Sequence, residues 1–249
     1  MIAFFKSMGY AVSDAGAWKA LRLTHYRQVV SVPPPGALVE PSVRHIGKQV
    51  ESFQYAGQSR LRKIVIAEGT ETIGAGAFFN CDALEEVVLP DSLRHLEHSC
   101  FANCRSLERI RLPEGLTVLP ARAFRDCRRL KAVDLPKTIR LIDQGCFQNC
   151  ERLEQVNWPG GLLRINEYAF YGCQALASFC LPQCVSIIEK NAFTNCKKIK
   201  YVKAGAGVTY FSPQSFASRT VLECPENSVT LKMAREAGLK TKVSALYKK

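Results

Sequence analysis

The chain has 249 residues, of which 47% are hydrophobic and 22% are charged, and its formal net charge is +12. That balance is typical of a globular protein and excludes a disordered or collagen-like chain. No stretch approaches the roughly 18 consecutive apolar residues that cross a bilayer, so the sequence predicts no membrane span. The positive charge favours acidic partners, phosphate polymers or anionic surfaces and does not choose among them.

Residues 1–42 are predicted to form a strand-rich N-terminal cap. The segments 21–26 and 29–32 have the β-branched and aromatic content of short strands. The prolines of residues 33–36 then break the chain. At the very start, the apolar run lacks a basic residue before it and is interrupted by Lys6, which makes it a poor secretory signal.

A period of 23 residues runs through residues 43–225. Phenylalanine recurs at this spacing as Phe78, Phe101, Phe124, Phe147, Phe170, Phe193 and Phe216. Cysteine follows three residues after each of the first six, and leucine or isoleucine follows three residues after each cysteine. Most coils then alternate like a strand and reach a proline, as Val87, Leu89 and Pro90 do.

This pattern predicts a solenoid, because one coil cannot bury its own apolar edge whereas stacked coils bury it against each other. Val87 and Leu89 are expected to point inward and Val88 outward. Pro90 ends the strand because it lacks the N–H group for the next ladder bond. About seven such coils fit residues 43–225, and stacking them gives a parallel sheet along one face.

The coil resembles the BspA-like leucine-rich repeat in the string Ile73-Gly74-x-x-Ala77-Phe78-x-x-Cys81-x-x-Leu84-x-x-Val87-x-Leu89-Pro90. The resemblance implies an α/β fold, namely a right-handed, curved leucine-rich-repeat solenoid with a concave parallel β-sheet. It also implies a bacterial protein that binds other macromolecules, often at microbial surfaces. It implies no catalytic residues.

Residues 226–249 are predicted to form a C-terminal capping helix and a basic tail. Ser228 is a suitable N-cap, and Gly238 is a suitable stop. The apolar residues expected on one helical face are Val229, Met233, Ala234 and Ala237. The helix should cover the last coil and prevent open-ended stacking, and the tail from Lys240 onward is expected to fray.

The chain has eleven cysteines, which suit either a disulfide frame in a secreted protein or free thiols in a reducing compartment. The column from Cys81 to Cys196 is interpreted as small core residues, since parallel ladder side chains are poorly placed for disulfides. Three C-x-x-x-C pairs lack the spacing of a zinc site, so no metal or cofactor is expected. Cys180 takes an outward strand position and is either reactive or an ordinary surface thiol. The thiols and the weak leader favour a cytoplasmic location, whereas the family resemblance keeps a secreted or cell-surface one open.

Two surfaces are candidates for binding. The side chains at the outward positions of the predicted strands do not pack in the core. They are predicted to contact a protein partner: Arg109, Arg111, Asp134, Gln155, Asn157, Tyr201 and Lys203. A basic set within residues 105–140 flanks the phenylalanine–cysteine turn and is called the arginine ridge: Arg105, Arg122, Arg125, Arg128 and Arg129. The ridge is either a solvated face or a site for an acidic polymer, and no aromatic stacking platform accompanies it.

These features predict a non-enzymatic binding or scaffold protein that recognises a protein partner through the concave face of the solenoid. Binding of an acidic polymer or nucleic acid by the arginine ridge, and a role as a cell-surface adhesin, are the alternatives. An enzyme is disfavoured because the four histidines occur without a nucleophile-elbow or nucleotide-binding motif. No small-molecule substrate is expected.

Overall fold

The computed structural model describes residues 42–45 and 47–244. Over these residues the chain makes about nine turns of a parallel β-solenoid, and the solenoid predicted from the period is confirmed. The turns outnumber the seven predicted coils because both ends continue the stack after losing the motif. The predicted cap, residues 1–42, lies outside the described residues except for Ser42.

Parallel strands line two faces of the solenoid. The first face holds β1 (Ser42–His45), β3 (Lys63–Ile66), β5 (Glu86–Val88), β7 (Arg109–Arg111), β9 (Ala132–Asp134), β11 (Gln155–Val156), β13 (Phe179–Cys180), β15 (Tyr201–Lys203), β17 (Val221–Pro225) and β18 (Lys240–Ser244). The strands from β3 to β15 fall in the predicted strand column of the repeat. The second face holds two-residue strands: β2 (Gln49–Val50), β4 (Thr72–Ile73), β6 (His95–Leu96), β8 (Val118–Leu119), β10 (Leu141–Ile142), β12 (Arg164–Ile165), β14 (Ile187–Ile188) and β16 (Tyr210–Phe211).

The first face follows the predicted alternation. Ile64 lies beside Val87 in parallel register, and Ile110 lies beside Val133. Val87 is buried, whereas Val88 is 40% exposed. Hydrogen bonds join the strands of this face in three consecutive groups, β1–β3–β5, β7–β9–β11 and β13–β15–β17–β18.

The second face is a sheet that the sequence did not predict. Its strands pair in the groups β2–β4–β6 and β8–β10–β12–β14–β16. The inward residue of each pair, such as Ile73 or Ile142, is buried. The sequence shows this apolar column, but two residues are too few to reveal the alternation that identifies a strand.

A stack of aromatic rings forms the centre of the core. From Tyr55 to Phe216 each ring lies 5.1–5.6 Å from the next, and neighbouring rings are nearly parallel. This separation is close to the spacing of about 4.8 Å between paired strands. The phenylalanine period therefore places identical rings over one another, one per coil.

The turn between the second face and the first face is hydrogen-bonded from coil to coil as well. The Phe78 N–H donates to the Cys100 carbonyl at 2.8 Å, and the Phe101 N–H donates to the Ala123 carbonyl at 2.9 Å. Two residues after each of the first seven rings the backbone turns left-handed, with φ between 59° and 74°, at Gly57, Asn80, Asn103, Asp126, Asn149, Gly172 and Asn195. Asparagine, aspartate and glycine are the residues that tolerate this conformation best.

The C-terminal end closes with a helix and a further strand. Helix α1 (Val229–Glu236) begins at Ser228, whose Oγ accepts a hydrogen bond from the Leu231 N–H at 3.1 Å. The predicted apolar face is partly wrong, because Val229 is exposed while Thr230, Leu231 and Ala234 are buried. The expectation of a fraying tail is wrong for Lys240–Ser244, which pairs in parallel with β17 as β18.

The described part of the chain contains no helix long and apolar enough to cross a membrane.

Candidate functional site

Four of the predicted contact residues come together in the middle of the first face. Arg109 and Gln155 flank Ala132 on adjacent strands, and Arg111 lies beside Asp134. All four side chains are exposed. We call Arg109, Arg111, Asp134 and Gln155 the middle patch, since β7, β9 and β11 place them on one hydrogen-bonded sheet.

The side chain of Asn157 is hydrogen-bonded to the backbone of the chain. Its Oδ1 accepts a hydrogen bond from the Leu135 N–H at 2.6 Å, and its Nδ2 donates to the Leu135 carbonyl at 3.2 Å. The side-chain amide thus bonds to both backbone groups of the residue that follows β9. This position was predicted as a partner contact, but its polar atoms already have partners within the chain.

Tyr201 and Lys203 also belong to an internal cluster, which is centred on Glu223. The Tyr201 hydroxyl donates to Glu223 Oε2, and the Ser244 Oγ donates to Glu223 Oε1 at 3.0 Å. Lys203 Nζ and Lys242 Nζ lie 3.7 and 3.3 Å from the carboxylate oxygens. We call these five residues the Glu223 cluster, and they tie β15, β17 and β18 together.

The Glu223 cluster strongly perturbs its ionisable groups. The hydrogen bond from Tyr201, with those from Ser244 and Lys242, lowers the pKa of Glu223 to about 2. Burial, and then the hydrogen bond to Glu223, raises the pKa of Tyr201. Glu223 was missed at the sequence level, because only 20 residues separate it from Lys203, its partner in register. The 23-residue frame does not predict that pairing.

The arginine ridge is largely neutralised by carboxylates of the same chain. Four of its members lie within ion-pair distance of an acid: Arg105 with Asp82 at 3.7 Å, Arg125 with Asp126 at 3.2 Å, Arg128 with Glu151 at 3.6 Å, and Arg129 with Glu108 at 2.8 Å. Arg122 and Arg125 line a cleft with Gln144, Gln148 and Tyr168. Most pairs join one coil to the next, so the basic excess read from residues 105–140 overstates the local field.

A less obvious basic group lies further along the solenoid. Lys197, Lys198 and Lys200 are exposed and, among the residues that the structure describes, have no carboxylate within ion-pair distance. The residues one period earlier are Gln174, Ala175 and Ala177, which carry no charge. We call Lys197, Lys198 and Lys200 the lysine triplet. The repeat columns contain this signal, although the local charge count did not single it out.

The cysteine column makes a repeated hydrogen bond in the core. Each thiol lies 3.0–3.2 Å from the carbonyl oxygen of the aromatic residue in the preceding coil, as Cys127 does with Phe101. Burial raises the pKa of the Cys81 and Cys196 thiols to about 12 each, so these thiols stay protonated and can donate.

All eleven cysteines are free, and Cys180 is exposed. No group of three metal-ligating side chains occurs within the described ranges.

The family comparison identifies the repeat. The BspA type leucine rich repeat region matches the chain in six copies, over residues 48–176 and 141–232. These matches cover well over half of the sequence, and the chain therefore belongs to the BspA-type leucine-rich repeat family. The resemblance inferred from the sequence is confirmed. No curated protein sequence matches the chain.

Solved structures share this architecture. A leucine rich repeat protein of T. pallidum is 24% identical, with a TM-score of 0.55 over 81% of this chain and 85% of that one. A leucine-rich repeat protein from Eubacterium ventriosum is 16% identical, with a TM-score of 0.55 over 83% of this chain and 60% of that one. The pneumococcal vaccine antigen PcpA is 15% identical, with a TM-score of 0.48 over 82% of this chain and 78% of that one. The first two likenesses support the solenoid fold and say nothing about the partner.

Proposed function

We propose that the chain is a non-enzymatic binding protein that recognises a protein partner through the middle patch. The observation that carries this proposal is that the side chains of Arg109, Arg111 and Gln155 are exposed and are not bonded to other side chains. Arg109 and Arg111 on β7 and Gln155 on β11 are exposed and, within the described residues, form no ion pair or side-chain hydrogen bond. Guanidinium groups in this condition keep their full capacity for bidentate hydrogen bonds to carboxylates. Asn157, Tyr201 and Lys203 fall outside the proposed contact, since their polar groups are engaged within the chain.

The test begins with capture of the partner from the native source and its identification by mass. The dissociation constant is then measured by calorimetry for the wild type and for Arg109→Glu/Arg111→Glu. We expect at least about a tenfold loss, which corresponds to about 1.4 kcal/mol. Lys190→Glu/Lys232→Glu, which makes the same charge change at exposed positions off the first face, is the control. Unchanged affinity of the Arg109→Glu/Arg111→Glu variant would refute the proposal.

A second candidate function is binding of an acidic polymer, and the lysine triplet favours it more than the arginine ridge does. Four of the five ridge guanidinium groups are paired with acids, whereas the triplet lies beside uncharged residues of the preceding coil. Electrostatic binding of this kind weakens steeply with salt. Retention on heparin at low salt should fall for Lys197→Glu/Lys198→Glu/Lys200→Glu and change less for Arg128→Glu/Arg129→Glu. Failure of the wild type to bind heparin excludes this candidate.

The location of the protein stays a prediction. A reducing compartment preserves all eleven thiols, and an oxidising one converts the accessible thiols, such as Cys180, first. A free-thiol count under denaturing conditions, made on protein from the native source, separates the cytoplasmic expectation from the cell-surface alternative. Eleven reactive thiols support the former, and a clear deficit supports the latter.

A further inference from the structure

The second face carries an apolar stripe across its longest sheet. The outward residues of β8, β10, β12, β14 and β16 follow one another in register: Val118, Leu141, Arg164, Ile187 and Tyr210. Val118 is 40% and Tyr210 44% exposed, and Leu163, next to Arg164, is 46% exposed. Of the six most exposed large apolar side chains in the described residues, two therefore project from this face and a third, Leu163, lies at its N-terminal edge.

Arg164 does not interrupt the stripe with a free charge. Its Nε donates to Asn166 Oδ1 at 2.7 Å, and one terminal nitrogen donates to Glu189 Oε1 at 2.6 Å. Both acceptors lie beyond the C-terminal ends of the strands, so the guanidinium group is drawn toward that edge. The aliphatic stem of Arg164 then continues the apolar surface between Leu141 and Ile187.

The two edges of the stripe differ in charge, although the acidic edge also holds one exposed lysine, Lys190. Asp143 and Glu167 follow the C-terminal ends of the strands and have no ion pair among the described residues. Arg140 precedes the N-terminal end of β10 and donates from Nη1 to the Gly161 carbonyl at 2.9 Å. Arg94 precedes β6 of the neighbouring strand group and donates from Nη1 to the Asp91 and Leu93 carbonyls at 2.7 and 3.1 Å. Their remaining N–H groups stay available, because both residues are exposed.

This arrangement is complementary to itself under one of the two possible twofold axes. A twofold axis parallel to the solenoid axis places two copies face to face with their strands antiparallel, so that the acidic edge of each copy meets the basic edge of the other. A twofold axis along the strands places like charges over one another. The first arrangement also sets each coil opposite the same coil of its partner, and the apolar stripes then bury each other.

We propose that the second face is a homodimer interface, with Val118, Ile187 and Tyr210 as its apolar centre, Leu163 beside Arg140 at its N-terminal edge, and Arg140 with Asp143 and Glu167 as its charged rim. The occupant of the stripe is a second copy of this chain. The dimer leaves the first face open on both protomers. It is independent of the proposed function, and one can fail without the other.

Sedimentation velocity from about 1 to about 200 µM, a range that covers weak dimers, tests the proposal. The wild type should shift from monomer to dimer. Leu163→Glu/Tyr210→Glu should stay monomeric, or dimerise at least about tenfold more weakly. Both side chains are exposed, so the substitutions leave the core intact, and circular dichroism verifies the fold. Val88→Glu, at an equally exposed valine of the first face, should behave as the wild type does.

The charged rim distinguishes the two twofold arrangements. Arg140→Glu should weaken the dimer, because it places two acidic edges together, and Arg140→Glu/Asp143→Arg/Glu167→Arg should restore it by exchanging the edges. A wild type that stays monomeric throughout the range overturns the proposal and assigns the stripe to another molecule. Dimerisation unaffected by Leu163→Glu/Tyr210→Glu overturns it as well.

Discussion

The middle of the solenoid and its C-terminal end are stabilised by different chemistry. In the middle, each coil meets the next through the same side chain repeated, and the repeated groups are uncharged rings and protonated thiols. At the end, the Glu223 cluster joins three strands through a carboxylate and its donors. A ladder of identical residues tolerates no buried charge, since like charges would lie about 5 Å apart. Ion pairs of the middle, such as Arg128 with Glu151, therefore lie on the surface, whereas the end, where the repetition stops, buries the carboxylate of Glu223.

The largest effect is expected from an aromatic ring in the middle of the stack. Phe124 packs between Phe101 and Phe147 at 5.6 and 5.4 Å and is fully buried. Phe124→Ala should lower the free energy of unfolding by about 3–5 kcal/mol, because it leaves a cavity with neighbours on both sides. Urea unfolding measures this. Phe216→Ala is the control, since that ring ends the stack and is 6% exposed, and an equal loss there would contradict the comparison.

A smaller loss is expected at the Glu223 cluster. Glu223→Gln keeps the shape of the side chain and removes the charge that holds Lys203, Lys242 and Tyr201. The free energy of unfolding should fall by about 2 kcal/mol, the usual worth of hydrogen bonds to a charged group. Hydrogen exchange of the β18 amides should accelerate first, since β18 is the outermost strand. The same substitution at Glu108, a surface acid paired with Arg129 and Lys131, should cost less than about 1 kcal/mol.

The pH dependence of the free energy of unfolding should show that the carboxylate of Glu223 stabilises the C-terminal end. The folded pKa of Glu223, about 2, lies below its ordinary value of 4.5. Its contribution is therefore present above pH 4.5 and is lost as the pH falls toward 2. The stability gap between the wild type and Glu223→Gln should narrow over that interval. A gap that stays constant through acid titration would show that the carboxylate is not the source.

The smallest effect is expected from one thiol of the column. Cys127→Ala removes the sulfur that donates to the Phe101 carbonyl at 3.2 Å and leaves a small void. A loss of about 1 kcal/mol follows from the weak hydrogen bond and the missing packing. Cys180→Ala, at an exposed position, should be neutral. In native protein a thiol reagent should label Cys180 promptly and the column only after unfolding, since burial keeps the thiols of the column protonated.

The sequence was sufficient for the repeated part of the fold and insufficient where the repetition ends. Phe78 and Phe101 occupy the same position in successive repeats, so the 23-residue period predicts both their burial and their stacking. The second face was not predicted, because strands such as Thr72–Ile73 are too short to show the alternation of apolar and polar residues. The pairing of Arg128 with Glu151 could have been found, because these residues are one period apart. The pairing of Lys203 with Glu223 could not, since it depends on a shortened coil.

The constant offset between interior partners also affects how such a chain can evolve. Loss of residues 124–146 would bring Phe147 over Phe101 and Cys150 over Cys104, which recreates the contacts that existed before. A duplication of one period in the gene would extend the protein in the same way. Descendants can therefore lengthen or shorten the surface that they display while inheriting an unaltered interior.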